Sequence, residues 1–177
     1  MKKMFVAVIA LSLVFTACNN EKKEGKEDKD KMSTTEKSQE EKNKETALAS
    51  VNAMISGDVD GVLKNVTNDA VEYGDGSMAP VKTKDSLKAM IAQWRGSLSD
   101  YKGENLWAMA DGDNVAVFGD WTGTFKSDFM GMKVTGKTFK IKDVDIFKFN
   151  SDGMITEHRN IQSSAEMMKQ LGMEAPK

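Results

Sequence analysis

With one cysteine, Cys18, the chain has no partner for an internal disulfide, although an exported compartment would permit one. With one histidine, His158, it lacks the His–His and Cys–His ligand sets of zinc sites, so no metal is expected. It also lacks a basic stripe. The formal charge is −2, and it becomes −4 if Lys2 and Lys3 leave with a leader. That mild acidity argues against a nucleic-acid partner. No phosphate-cradling loop, nucleophile elbow or metal motif is present, and no cofactor is expected. No internal repeat is visible. Beyond the N-terminus no hydrophobic run approaches the roughly 20 residues that span a bilayer.

What is present at the N-terminus is an export leader. Lys2 and Lys3 form a positive start, and Met4 to Val14 is apolar apart from Ser12. Such a run is too short to span and fits a signal sequence over residues 1–17. Phe15-Thr16-Ala17-Cys18 resembles a bacterial lipobox, which implies that Cys18 becomes the lipidated first residue of the mature chain. Two or more acyl chains anchor stably where one does not. Asn19 and Asn20 lack the Asp of an inner-membrane retention signal. The expected location is therefore the outer membrane, facing the periplasm or the exterior.

Residues 19–45 carry 17 charged side chains among 27 positions, nine acidic and eight basic, with Met32 the one large apolar residue. This composition cannot bury enough surface to offset the entropy of ordering. Residues 18–45 are accordingly expected to be a flexible tether, and residues 46–177 a single domain.

The domain begins with helical spacing. Leu48, Val51, Ile55, Val59, Val62 and Val66 recur every three or four residues, interrupted at Gly57-Asp58. Asp58 is a good N-cap, so two helices meeting at a bend are predicted. Ala70 to Tyr73 reads as a short strand, and Gly74 to Pro80 as a loop. A helix starting near Thr83 carries Leu87, Met90, Ile91, Trp94 and Leu98. Strands with alternating patterns follow, with turns at Asp111-Gly112-Asp113-Asn114 and Asn150-Ser151-Asp152-Gly153. Ser163 and Glu166 stand in capping-box spacing before a final short helix that stops at Gly172. Helices followed by a strand meander make an α+β domain, with a curved antiparallel sheet and helices on its concave face.

Several pieces resemble a known family. Ile55-Ser56-Gly57-Asp58-Val59-Asp60-Gly61-Val62 is similar to the opening helix pair of the nuclear transport factor 2-like superfamily, within it the SnoaL-like polyketide-cyclase group. Val134-Thr135-Gly136-Lys137, the segment from Asp145 to Phe149, the segment from Asp152 to His158, and Gln170-Leu171-Gly172 resemble later elements of that group. The resemblance implies a cone-shaped, cystatin-like fold, often with an inner cavity. The cyclases have Glu-His-Trp and then a catalytic Asp. Here Glu157-His158 is kept, Arg159 replaces the Trp, and Ser163 stands at the Asp position. Serine cannot do a carboxylate's acid–base work at neutral pH.

Strand parity points Phe139, Ile141, Asp143, Asp145, Phe147 and Phe149 to one face. A three-residue hairpin loop sets Asp145 opposite Arg159, whereas a four-residue loop sets it opposite His158. The first pairs Phe149 with Ile155 and is the expected register. Tyr73, Trp94, Trp107, Trp121, Asp145 and Arg159 are the candidate ligand contacts, with Tyr73 at the rim. Asp145 and Glu157 are the candidate bases, and His158 is expected on the surface or a dimer face. The leading function is a membrane-anchored domain that binds a small apolar or amphipathic molecule without turning it over. An isomerase, cyclase or hydrolase-type enzyme is the rival. A structural homodimer packing through Val144 and Ile146 is the third reading.

Overall fold

A computed structural model describes residues 36–129, 133–162 and 164–173. The leader, Cys18, residues 18–35 of the expected tether, and Ser163 lie outside the described residues.

Helix α1 runs Gln39–Ser56, so residues 39–45 are helical rather than part of a tether. The cause is local. Ser38 caps the helix by accepting from the Glu41 amide, and Glu40 and Glu41 lie in the first turn, where acidic groups suit the helix dipole. Glu40 also accepts from the Gly112 amide at 2.9 Å, and Asn43 and Ala47 are buried. The charged composition hid a helix start with one packed face. Gly57 ends α1 in the left-handed conformation (φ 82°), its amide and that of Asp58 returning to the carbonyls of Met54 and Ala53. Asp58 then caps α2, Val59–Leu63, through the Gly61 amide at 2.9 Å. The predicted bend is therefore present.

Strand β1 is Val66–Glu72, and a two-residue edge strand β2, Val81–Lys82, forms directly after the stretch predicted as loop. Thr83 caps α3, Lys84–Ser97. Strands β3, Leu98–Asp111, β4, Asn114–Phe125, and β5, Thr138–Phe149, form a long antiparallel meander. Strand β6, Ile155–Asn160, and helix α4, Ser164–Leu171, complete the domain. The sheet order is β2-β1-β6-β5-β4-β3. It is not wholly antiparallel as predicted, because β1 lies parallel to β6. That pairing needs the intervening chain as a crossover, which local sequence does not signal.

The helices cover one face, called the inner face below. Its core joins Ala47 and Val51 of α1, Leu87 and Ile91 of α3, and Met167 and Leu171 of α4 to the rings of Trp121, Phe125, Phe139 and Phe147. No helix among the described residues is long and apolar enough to cross a membrane.

Candidate functional site

The site is decided by one residue in the β5–β6 hairpin. The turn forms as expected, with the Asn150 amide donating to the Met154 carbonyl and Phe149 paired with Ile155. The register then shifts. Lys148 faces Glu157, Phe147 faces His158, Ile146 faces Arg159, and Asp145 faces Asn160. An extra residue on one strand sends every later side chain to the other face. His158 and Asn160 therefore point inward, and Glu157 and Arg159 point outward.

This overturns the expected Asp145–Arg159 pair. Arg159 instead holds Glu157 at 3.3 Å and sits over the Tyr73 ring at 4.8 Å from its centroid. Glu157 also meets Lys148 at 3.1 Å. Tyr73, Glu157 and Arg159 thus belong to the outer face, away from any inner ligand. Trp107 lies there too, 53% exposed and stacked on Phe118 at 4.1 Å. Cross-strand pairing continues from Trp107 and Phe118 to Val144, and from Met109 and Ala116 to Ile146, as an apolar outer band. A shallow concavity of about 380 Å³ lies along this band, lined by Trp107, Phe118 and Val144 together with Gly119 and Asp143.

On the inner face His158 is held between two carboxylates. Its Nδ1 lies 2.6 Å from Glu72 Oε2, and its Nε2 lies 3.2 Å from Asp145 Oδ1. Its ring tilts against Phe147 at 4.7 Å. The β1–β6 pairing supplies Glu72, which sits beside His158 in the register. Burial works against charging the imidazole, but the Glu72 charge and the hydrogen bonds to Asp145 and Glu72 prevail and push it up to about 10. Both ring nitrogens therefore carry protons at neutral pH and donate to the two carboxylates.

Asp143 lies two residues from Asp145 on the same face. Its Oδ1 accepts from the Val144 amide at 2.7 Å, and its Oδ2 accepts from Asn160 at 3.4 Å. Burial, with the Asp145 charge second, pushes its carboxyl up to about 6. Tyr101 of β3 comes within range of both acids. Burial and then the charges of Asp145 and Asp143 push its phenol up, so it remains a neutral hydroxyl. Trp94 meets Tyr101 edge-on at 6.3 Å and also packs on Phe125 and Phe129. Trp121 is buried beneath. Glu72, Asp145 and His158 keep 15%, 16% and 25% of their side chains exposed, so solvent reaches this polar cluster.

Against known proteins, the model of the SnoaL-like polyketide cyclases matches residues 44–171. The chain belongs to that family. AclR from Streptomyces galilaeus, described as a candidate hydroxylase, is 25% identical to this SnoaL-like chain over 75% of its length and 97% of AclR, with a TM-score of 0.63. A candidate SnoaL-like polyketide cyclase from Jannaschia sp. CCS1 is 23% identical, covering 80% of this chain and 98% of its own, with a TM-score of 0.67. An LEH-like epoxide hydrolase from M. tuberculosis shares the fold at 18% identity and a TM-score of 0.59, over 76% of this chain and 92% of its own. No curated protein sequence matches the chain.

Of the expected contacts, the SnoaL-like fold brings Trp94, Trp121 and Asp145 to the inner face. It adds Glu72, Tyr101, Asp143, His158 and Asn160. Asp143 was legible from its parity with Asp145, whereas Glu72 depends on a pairing 86 residues distant in sequence. Among the described residues no cluster of three acidic, His or Cys side chains is arranged to hold a metal ion.

Proposed function

We propose that this SnoaL-like domain binds a small neutral or cationic amphipathic molecule on its inner face and moves a proton on it, with Asp143 as the base. The observation that carries this reading is the geometry around His158. Held by two carboxylates, the imidazolium has no free nitrogen to act as a base. Among the described residues Asp143 makes no ion pair, and a carboxyl near 6 is mostly ionised at neutral pH yet basic enough to accept a proton. It supplies the carboxylate that Ser163 does not. The neutral Tyr101 hydroxyl is the donor for an oxygen that gains negative charge. In the step proposed, the C–H beside a carbonyl breaks, its proton goes to Asp143, and the enolate oxygen accepts from Tyr101. Three carboxylates against one imidazolium disfavour anionic ligands.

The test uses two neutral probes with an acidic C–H, 2-tetralone and ethyl acetoacetate, in deuterated buffer. Wild-type protein is expected to speed deuterium incorporation beside the carbonyl, and Asp143→Asn is expected to lose at least about 100-fold of that rate. Equal rates in wild type and variant would dismiss the base and leave binding without turnover.

The domain is further proposed to be held outside the cytoplasm by lipid on Cys18, most consistently at the outer membrane. The motif from Phe15 to Cys18 supports this. Cys18→Ser is expected to abolish palmitate labelling and membrane fractionation. A variant that still labels and still pellets with membranes would end the anchor reading.

A further inference from the structure

The inner face of β4 alternates between large side chains and none, with Val117, Gly119, Trp121, Gly123 and Phe125 in succession. Rings from neighbouring positions lie in the glycine gaps. A Cβ at Gly119 would stand 2.5 Å from both Cη2 and Cζ3 of Trp121 and 2.6 Å from Cδ2 of Leu106. A Cβ at Gly123 would stand 3.0 Å from Phe139 and 3.2 Å from Tyr101. The Trp121 indole thus lies back along its own strand in space that any side chain at 119 would take. Gly119 is the direct cross-strand partner of Asp143. Facing positions on one sheet face have Cβ atoms about 5 Å apart, so the indole tip occupies the position that faces Asp143 across the two strands.

We propose that Trp121 is a positioning residue of the inner site, its indole lying in the side-chain space of Gly119, shielding the Asp143 carboxyl from water and closing the site at that end. This rests on the reading of Asp143 as the working base, and it adds the group that prepares that base. Burial is the largest influence on the Asp143 carboxyl, and the facing position on β4, at Gly119, is filled by this ring with Leu106. Trp121 is itself 4% exposed and so is fixed in place by the core.

The experiment is a carboxyl-carbon NMR titration of Asp143 in ligand-free protein, which needs no substrate. Wild type is expected to titrate near 6. In Trp121→Leu the midpoint is expected to fall by about one pH unit or more, a tenfold weaker hold on the proton. Phe149→Leu, which changes a buried ring six residues along β5 and paired with Ile155, should leave it unmoved. An unchanged Asp143 midpoint in folded Trp121→Leu overturns the proposal. If that variant does not fold, Trp121→Phe decides by the same criterion, because its shorter ring falls short of position 119. A shifted midpoint in a protein that exchanges no probe protons would remove the proton-transfer reading and leave this one standing. An unmoved midpoint with exchange intact would do the reverse.

Discussion

Replacing His158 with alanine is expected to destabilise the domain by about 3 kcal/mol at neutral pH, the lower end of what breaking a buried ion pair costs. The loss comes less from the contacts of the ring than from what it leaves behind. Glu72 and Asp145 would face each other with no cation between them, each about 15% exposed. Partial solvent access is the reason for taking the lower end. The pH profile separates this account from simple loss of packing against Phe147. The imidazole is raised from 6.5 in the unfolded chain to about 10 in the folded one. A raised base contributes stability that is fully present below the unfolded value and is lost as pH rises through the folded value. The gap between wild type and His158→Ala should therefore shrink between about pH 6.5 and 10. Urea denaturation across that range measures it. A gap that stays constant with pH would mean the ring is only packing.

Asp143→Asn is expected to have the opposite sign and to stabilise the domain by about 2 kcal/mol at pH 7.5. The carboxyl rises from 3.8 to about 6 on folding, so the folded state holds the proton more tightly. Ionising it at neutral pH therefore works against the fold. The gain of the variant should be absent below about pH 3.8 and complete above about 6. Full linkage over that shift is about 3 kcal/mol, and the weakened contact with Asn160 offsets part of it. Such a gain, together with lost proton exchange, is what a residue kept for chemistry at the expense of stability produces. Urea midpoints at pH 3.5 and 7.5 measure it. A destabilised variant at pH 7.5 would place Asp143 among structural hydrogen-bonding groups instead.

The helical half of the fold was legible because its signals are local. Gly57-Asp58 states a stop and a cap in adjacent residues, and Thr83 states the start of α3. The faces of β4 and β5 were legible from parity, so Asp143, Asp145 and Trp121 lie inside as their spacing implies. The start of α1 was hidden because Ser38, Asn43 and Ala47 carry its cap and packed face inside a strongly charged stretch. Most of the site was lost through a single residue. The hairpin register expected at Phe149 and Ile155 is the one present, yet the shift immediately after it exchanges Arg159 for His158 on the inner face. No turn residue marks that shift. Its driving force is tertiary, since it gives Asp145 a cation and places Arg159 over Tyr73. Tyr73 reads as a rim residue because the sequence shows its strand but not that strand's neighbours. Pairing β1 in parallel with β6 sets Glu72 inward beside His158. Trp107 shows the limit of parity alone, since two irregularities in β3, with Asp100 and Asn105 at positive φ, reset which residues face the core.

The central claim is that the inner face holds a fixed imidazolium beside a free base of near-neutral affinity. The most direct measurement is one NMR titration of the wild-type protein that follows the His158 ring and the Asp143 carboxyl together. The account requires His158 to remain charged at pH 8 while Asp143 loses its proton near pH 6. A histidine that titrates near 6.5 alongside an aspartate that titrates near 4 would contradict it, returning Asp143 to an ordinary surface carboxylate and His158 to an unclamped ring.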